Sequence, residues 1–393
     1  MSKKIFLITE FFDASQNTTG YLFEKLYQSF IEQHDLDVAL ITKHDDRLSK
    51  QPNALYIEHA QVDKSKLLNR LYYELAIGAK FFHKSAKHIK RDDLVFTGTT
   101  PIFLLIIIYI LKKFIAFKWV LLVHDVFPEN LVAAKIISKQ NISYKLLKYL
   151  FDHVYASADE VIAIGKDMQE LIYQKTSKDN ITVVPSWINE DDILVGPKNS
   201  NRLLAELDWQ DDKKVIFQFF GNIGRVQGLD VLVKAIGMME RFEDARFLFI
   251  GGGAYVPELK KSIKKLNKDN VKYYGELEQS DKSIGLNACD ISIVTLAEGM
   301  LGLGVPSKAY YTMAADKLIF AIMDKSSEVY QMVNKNNIGW TVEPNSLEDI
   351  AKKLDTAVVD FTNKKFDSSR KVLIDKYSEK LAMKKILKII RSL

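Results

Sequence analysis

The chain has 393 residues, 47% apolar and 27% charged, a balance that excludes long disordered regions and places it among ordinary folded proteins. That length is long for one doubly wound domain and suits two, each with a core of its own. A net charge of +5 without a stacking motif or basic recognition helix argues against nucleic acid, and the solitary Cys289 excludes an internal disulfide and reads as a buried, inert thiol.

From the first residues, short apolar runs alternate with segments of helical period, the pattern of a parallel sheet covered on both faces, so the class is α/β. KIFLIT, a turn through Asn17, Thr18, Thr19 and Gly20, the helix YLFEKLYQSFIEQH and the run VALIT form a first strand–helix–strand unit. MSKKIFLITEFF enters that strand without the long apolar core and cleavage site of a signal peptide, so a cytoplasmic protein is expected. An amphipathic stretch from about Lys66 to Ile89, the strand LVF before Gly98, an apolar helix after Pro101 and the strand WVLLV ending at His124 continue the pattern.

Residues 61–120 hold eleven Lys/Arg against four Asp/Glu, and much of that excess brackets PIFLLIIIYIL. This apolar run of eleven residues is well short of the ~20 that a spanning helix needs. It is expected to be a buried core helix, with an interfacial segment meeting anionic lipid as the alternative. Ligands of open sheets collect at the carboxyl ends of strands, where His124, Asp125, Pro128 and Glu129 stand in HDVFPEN.

SADEVIAIGKDMQELIYQK supplies a further strand and helix, and NITVVPSWINEDDI a closing strand stopped at Pro185. The polar stretch from Asn189 to Asp212 reads as the linker, after which the alternation restarts. An N-terminal domain over 1–192, a C-terminal domain over 193–369 and a last helical segment over 370–393 that rejoins the first are expected. That last segment keeps helical apolar spacing, and ten Lys/Arg follow Asn363, a second candidate contact with acidic lipid.

The second half opens on VIFQFFGNIGRVQGLD, a strand, a glycine loop and a helix start. Such a loop lets the backbone approach a ligand and aims free N–H groups at it, so phosphate is its natural tenant, with Arg225 able to fork onto the oxygens. No dinucleotide fingerprint is present: Gly251, Gly252 and Gly253 lack the last glycine, and Gly221 to Gly224 has the wrong spacing. The seven histidines are dispersed and no Cys pair supports them, so no metal is expected.

With two such halves, the loop Gly221 to Leu229 reading GNIGRVQGL, and GLGVPSKAYYTMAADKLIF, the chain resembles the family 4 glycosyltransferases of the GT-B fold over nearly its whole length. Within them it is similar to bacterial enzymes of surface polysaccharide assembly, O-antigen or capsule, related to the fucosamine transferases. His124 to Glu129, Ser157 to Ile164, Val184 to Ile188, and Pro306, Ser307, Lys308, Met313 and Ala314 match their segments. The resemblance implies a retaining enzyme that moves a sugar from a UDP-sugar, held mainly by the C-terminal half, to an acceptor held by the N-terminal half.

On that reading Gly221, Asn222, Gly224, Pro306 and Ser307, with the cations Arg225 and Lys308, surround the leaving diphosphate. Ser307 would cap the helix starting at Lys308, and no metal or cofactor is required. The backbone near Gly275, Glu276 and Leu277 would hold the base, and His124 would contact the donor sugar. Thr19, Gly20, Asp125 and Glu129 would lie on the acceptor side. Two departures stand out: Asn222 and Gln227 occupy the usual Arg and Lys positions, and Leu303 and Tyr311 those of the paired glutamates, which leaves Glu298 as an out-of-register ribose residue.

The reading is thus a cytoplasmic enzyme, peripheral on the inner face of the plasma membrane, that transfers an N-acetylated amino sugar to a polyprenyl-diphosphate-linked or saccharide acceptor. A catalytically silent subunit docking a partner or membrane, and a GDP-mannose-dependent transferase, are the alternatives.

Overall fold

The computed structural model describes residues 3–13, 15–45, 51–58, 67–210 and 213–393. Its apolar runs become strands β1 (Lys4–Thr9), β2 (Asp37–Lys43), β3 (Ala54–Ile57), β4 (Leu94–Thr97), β5 (Lys118–Val123), β6 (Glu160–Ala163) and β7 (Ile181–Val183). They pair in parallel in the order β3-β2-β1-β4-β5-β6-β7. The second half supplies β8 (Val215–Phe220), β9 (Ala245–Ile250), β10 (Val271–Gly275), β11 (Ile291–Thr295), β12 (Leu318–Ile322) and β13 (Gly339–Val342). These are again parallel, in the order β10-β9-β8-β11-β12-β13. Strands such as β4 and β11 are buried along their whole length because helices cover both faces.

The two halves therefore repeat one topology although they share no sequence repeat. In each sheet the strand order reverses beside its first strand, between β1 and β4 and between β8 and β11. A crevice opens at the carboxyl ends of the strands at such a reversal, and this is where the chain's polar loops gather.

The helix Ile102–Phe114 buries Leu104, Leu105, Ile108 and Leu111, whereas Phe114 at its end is 83% exposed. PIFLLIIIYIL is thus a core helix on one face only, and no helix among the described residues is long and apolar enough to cross a membrane.

The stretch expected as a polar linker is structured. It forms short turns at Glu190–Asp192 and Lys198–Ser200 and a helix at Arg202–Glu206. Leu203, Leu204 and Trp209 hide in it and bury against Ile216 and Leu248 of the second sheet. The chain crosses between the halves beside Tyr21, whose hydroxyl donates to Asp192 Oδ2 at 2.9 Å and accepts the Asn189 N–H at 2.8 Å. The tail divides into helices Ser369–Lys376 and Glu379–Ser392, and the second lies on the helix Thr18–Ile31, with Arg391 on Asp35 at 3.0 Å.

Candidate active site

Where the two crevices face each other, the halves touch. The Val126 N–H donates to the Leu303 carbonyl at 3.1 Å, and the Lys166 N–H to Glu328 Oε2 at 2.9 Å. Between them lies a cavity of ≈ 280 Å³, with Thr18, Thr19, His124, Asp125 and Ser186 on one wall and Asn222, Gln227, Pro306, Ser307 and Lys308 on the other.

The first wall is rigid. Thr99 Oγ1 accepts the N–H groups of His124 and Asp125 at 3.3 Å, and the Tyr155 hydroxyl donates to the Asp125 carbonyl at 3.3 Å. This frame holds the His124 ring with both nitrogens shielded from water and without a hydrogen-bond partner. Burial pushes its imidazole down to about 4, so it is neutral at pH 7. Asp125 is open to the cleft but walled in on most sides, and the lost hydration raises its carboxyl.

The opposite wall is built on the end of β8. Gly221 has φ +120°, and a Cβ there would meet Lys308 Cε at 3.0 Å, so glycine is what lets Lys308 lie over the loop. The Lys308 ammonium sits 3.6 Å from the Phe219 ring centroid and donates to the Asn222 carbonyl at 3.1 Å and Gln227 Oε1 at 3.3 Å. Burial pushes its amine down to about 7. Among the described residues no carboxylate lies within ion-pair distance of it.

Gly251–Gly253, after β9, and Gly275–Leu277, at the end of β10, stack beside this loop. The Gly221 N–H donates to the Ile250 carbonyl at 2.9 Å and the Gly251 N–H to the Gly275 carbonyl at 2.7 Å. The Glu276 carboxylate lies across Gly252, where a Cβ would come within 1.5 Å of Oε1. Leu277 packs with Phe220 against Gly285.

Four sequence candidates take other places, and a fifth, Ser307, keeps its place but not its capping role. Arg225 lines a neighbouring crevice instead of the His124–Lys308 cavity, because the 3₁₀ turn Arg225–Gln227 sends Gln227 inward and Arg225 outward; Glu298 lines the same crevice. Glu129 is tied to Lys175 at 2.7 and 2.8 Å, behind the wall, with Asp152 on the same ammonium at 2.7 Å. Gly20 is buried, its N–H capped by Asn17, and a Cβ would strike the Asp13 carbonyl at 2.2 Å, so its role is packing. Ser307 is the residue before the helix Lys308–Ala314, but its hydroxyl makes no capping bond, since its own backbone is already helical at φ −60°, ψ −21°.

Sequence reasoning missed Thr18 and Ser186 as cavity residues, although both sit inside segments it had singled out. It also passed over Lys135, which lines the neighbouring crevice with Arg225. Among the described residues no group of three or more His, Cys, Asp or Glu could hold a metal ion.

Two parallel α/β domains with switch points facing across a cleft define the GT-B class of glycosyltransferase fold. The model of the glycosyl transferases group 1 family matches residues 201–387. The chain is 36% identical over 395 residues to a protein of Pseudomonas aeruginosa named as a probable glycosyltransferase, WbjE, covering 99% of this chain and 98% of that one. It belongs to the group 1 glycosyltransferases. Among solved structures, Anabaena HepE in complex with UDP and glucose superposes with a TM-score of 0.74 at 14% identity, covering 100% of both chains. Sucrose-phosphate synthase of Thermosynechococcus elongatus superposes with a TM-score of 0.76 at 14% identity, over 99% of this chain and 98% of its own. At such identities the likeness is one of fold.

Proposed function

We propose that the chain is a retaining, family 4 transferase that moves an N-acetylated amino sugar from a UDP-sugar to a polyprenyl-diphosphate-linked saccharide in the assembly of a surface polysaccharide. One observation carries the reading. An unpartnered, shielded His124 ring faces, across a cavity, an unneutralised Lys308 held on a glycine loop.

A cation without a carboxylate partner is a site for an anion, and the diphosphate of a nucleotide sugar fits it. Breaking the sugar–phosphate bond builds negative charge on the departing diphosphate, which Lys308, Asn222 and the Gly221–Gly224 backbone would stabilise. His124, neutral at working pH, can hydrogen-bond a donor-sugar hydroxyl but cannot supply a proton at that pH. Asp125, Thr18 and Thr19 face the same space from the acceptor half. Retention follows if the acceptor hydroxyl attacks from the side of the leaving group and gives its proton to the departing phosphate oxygen. The base would lie toward Gly275, Glu276 and Leu277.

The test is a thermal-shift and calorimetric titration of the folded chain with UDP, GDP, ADP and NAD. Selective stabilisation by UDP is expected, followed by turnover of a UDP-N-acetylhexosamine with a lipid-linked acceptor and a product that keeps the donor's anomeric configuration. Silence from every nucleotide would refute the reading and leave a subunit without catalysis; selective binding of GDP would replace the donor.

A further inference from the structure

Beside the donor cavity, and sharing Leu296 with it as a wall, lies a larger crevice of ≈ 750 Å³. Ala133, Ala134 and Lys135 form its N-terminal side; Arg225, Asp230 and Glu298 stand on the C-terminal side. Neither Lys135 nor Arg225 has a carboxylate within ion-pair distance among the described residues. Lys135 is held in a left-handed conformation, φ 58°, at the end of the helix Glu129–Ala133, with its N–H on the Val132 carbonyl at 2.9 Å. That helix is anchored from behind by the Glu129–Lys175 pair, whose lysine side chain is 2% exposed, so the cation is presented on a fixed wall.

The left-handed turn also throws the following chain outward. Ile136 is 68% exposed, and along the helix Ile142–Ser157 the residues Ile142, Leu146 and Tyr149 are 75%, 66% and 69% exposed. Their spacing puts them on one stripe of that helix, whose opposite side buries Tyr144, Phe151, Val154 and Tyr155. Three lysines of the same segment, Lys135, Lys139 and Lys145, are exposed around it. A large apolar stripe rimmed by cations is unusual on a free surface and fits an anionic amphiphile.

The crevice thus joins two unneutralised cations and two carboxylates, shares Leu296 with the sugar cavity, and leads from Lys135 along the chain through Ile136 toward the apolar stripe. We infer that the crevice between Lys135 and Arg225 binds the diphosphate of a prenyl-diphosphate-linked acceptor, with its lipid on Ile136, Ile142, Leu146 and Tyr149. Asp230 and Glu298 accept hydrogen bonds from the first acceptor sugar's hydroxyls as it reaches toward His124. The inference rests on the transfer reading above and gives Arg225 to the acceptor instead of the donor.

The experiment is calorimetric titration of the full chain, saturated with UDP, with three probes: farnesyl diphosphate, farnesol and inorganic pyrophosphate. Farnesyl diphosphate is expected to bind, more tightly than either fragment. Lys135→Ala and Arg225→Ala should each weaken it about tenfold, the loss of one charge-assisted contact, and leave UDP affinity within about twofold. Leu146→Ser with Tyr149→Ser should weaken farnesyl diphosphate and leave pyrophosphate unchanged. No binding of farnesyl diphosphate at millimolar concentration, unchanged affinity in the Lys135→Ala/Arg225→Ala double variant, or equal affinity for pyrophosphate would overturn the proposal. So would a loss of UDP affinity in Arg225→Ala as large as the loss of farnesyl diphosphate. Failure of the donor reading shows separately, as absence of UDP binding by the unaltered chain.

Discussion

Lys308 offers the sharpest test of the donor site, because its position dictates a pH dependence. Its ammonium lies over the Phe219 ring, bonded to the Asn222 carbonyl and Gln227 Oε1, with burial pushing the amine from 10.5 down to about 7. A bound diphosphate supplies the missing anion and restores the ordinary value. The ligand thus selects the protonated amine, which is present below about pH 7 and lost as the pH rises through it.

Between pH 7 and pH 9 the affinity for UDP should fall about 50-fold, or about 2.3 kcal/mol, while a terminal phosphate that ionises near 6 adds little slope of its own. Binding at pH 8 should take up about 0.9 proton, read by calorimetry in two buffers of different ionisation enthalpy. Lys308→Arg keeps the charge at every pH and should flatten the profile. A UDP dissociation constant that stays level from pH 7 to pH 9, with no proton uptake, would refute the assignment of Lys308 to the diphosphate.

Three further outcomes follow from the same walls. His124 sits at about 4 against an ordinary 6.5, so its contribution to stability is full above about pH 6.5 and lost as the pH falls toward 4, by about 3 kcal/mol. His124→Leu should flatten the acid limb of urea-unfolding stability, and an identical acid slope in both proteins would count against the buried imidazole. Lys175→Met removes the buried ammonium that Glu129 and Asp152 share and leaves them only the half-exposed Lys148, at 3.7 and 2.7 Å, so it should cost about 2 kcal/mol in urea unfolding; adding Glu129→Gln should recover part of it, and purely additive effects would deny the coupling. Gly221→Ala places a side chain at φ +120° and against Lys308, so it should cost about 1–3 kcal/mol and weaken UDP; wild-type values of both would show that the loop relaxes freely.

How much of this was legible in the sequence depends on where the signal lies. The parallel class, the domain pair and the two site loops could be read because continuous apolar runs and glycine punctuation are local features. β3 escaped because its four residues, ALYI, sit at a sheet edge and carry too little pattern. The helix Ile142–Ser157 escaped because its outer stripe is as apolar as its inner one, which blurs the amphipathic period. Arg225 and Glu129 were found as site-region residues, but their directions are set by a 3₁₀ turn and by Lys175, and neither is visible in one dimension.

The positions that hold paired glutamates in the resembling enzymes are Leu303 and Tyr311 here, and both serve the contact between the halves. The Leu303 carbonyl takes the Val126 N–H, and the Tyr311 hydroxyl faces Thr18 while the Lys282 ammonium sits 3.4 Å from its ring centroid. On the proposed donor reading, a ribose must then find its carboxylate elsewhere. Glu298 stands in the crevice with Lys135, whereas Glu276 lies across Gly252, directly beside the Gly221 loop. On that reading we propose Glu276 as the ribose residue. A carboxylate that accepts from a ribose hydroxyl contributes about 1.5–3 kcal/mol, so the unaltered chain should prefer UDP over 2′,3′-dideoxy-UDP by at least about tenfold. Glu276→Gln should lose most of that preference and Glu298→Gln none of it. Calorimetry that finds the preference intact in Glu276→Gln, or abolished in Glu298→Gln, would move the ribose to the other carboxylate and reopen the crevice to the donor.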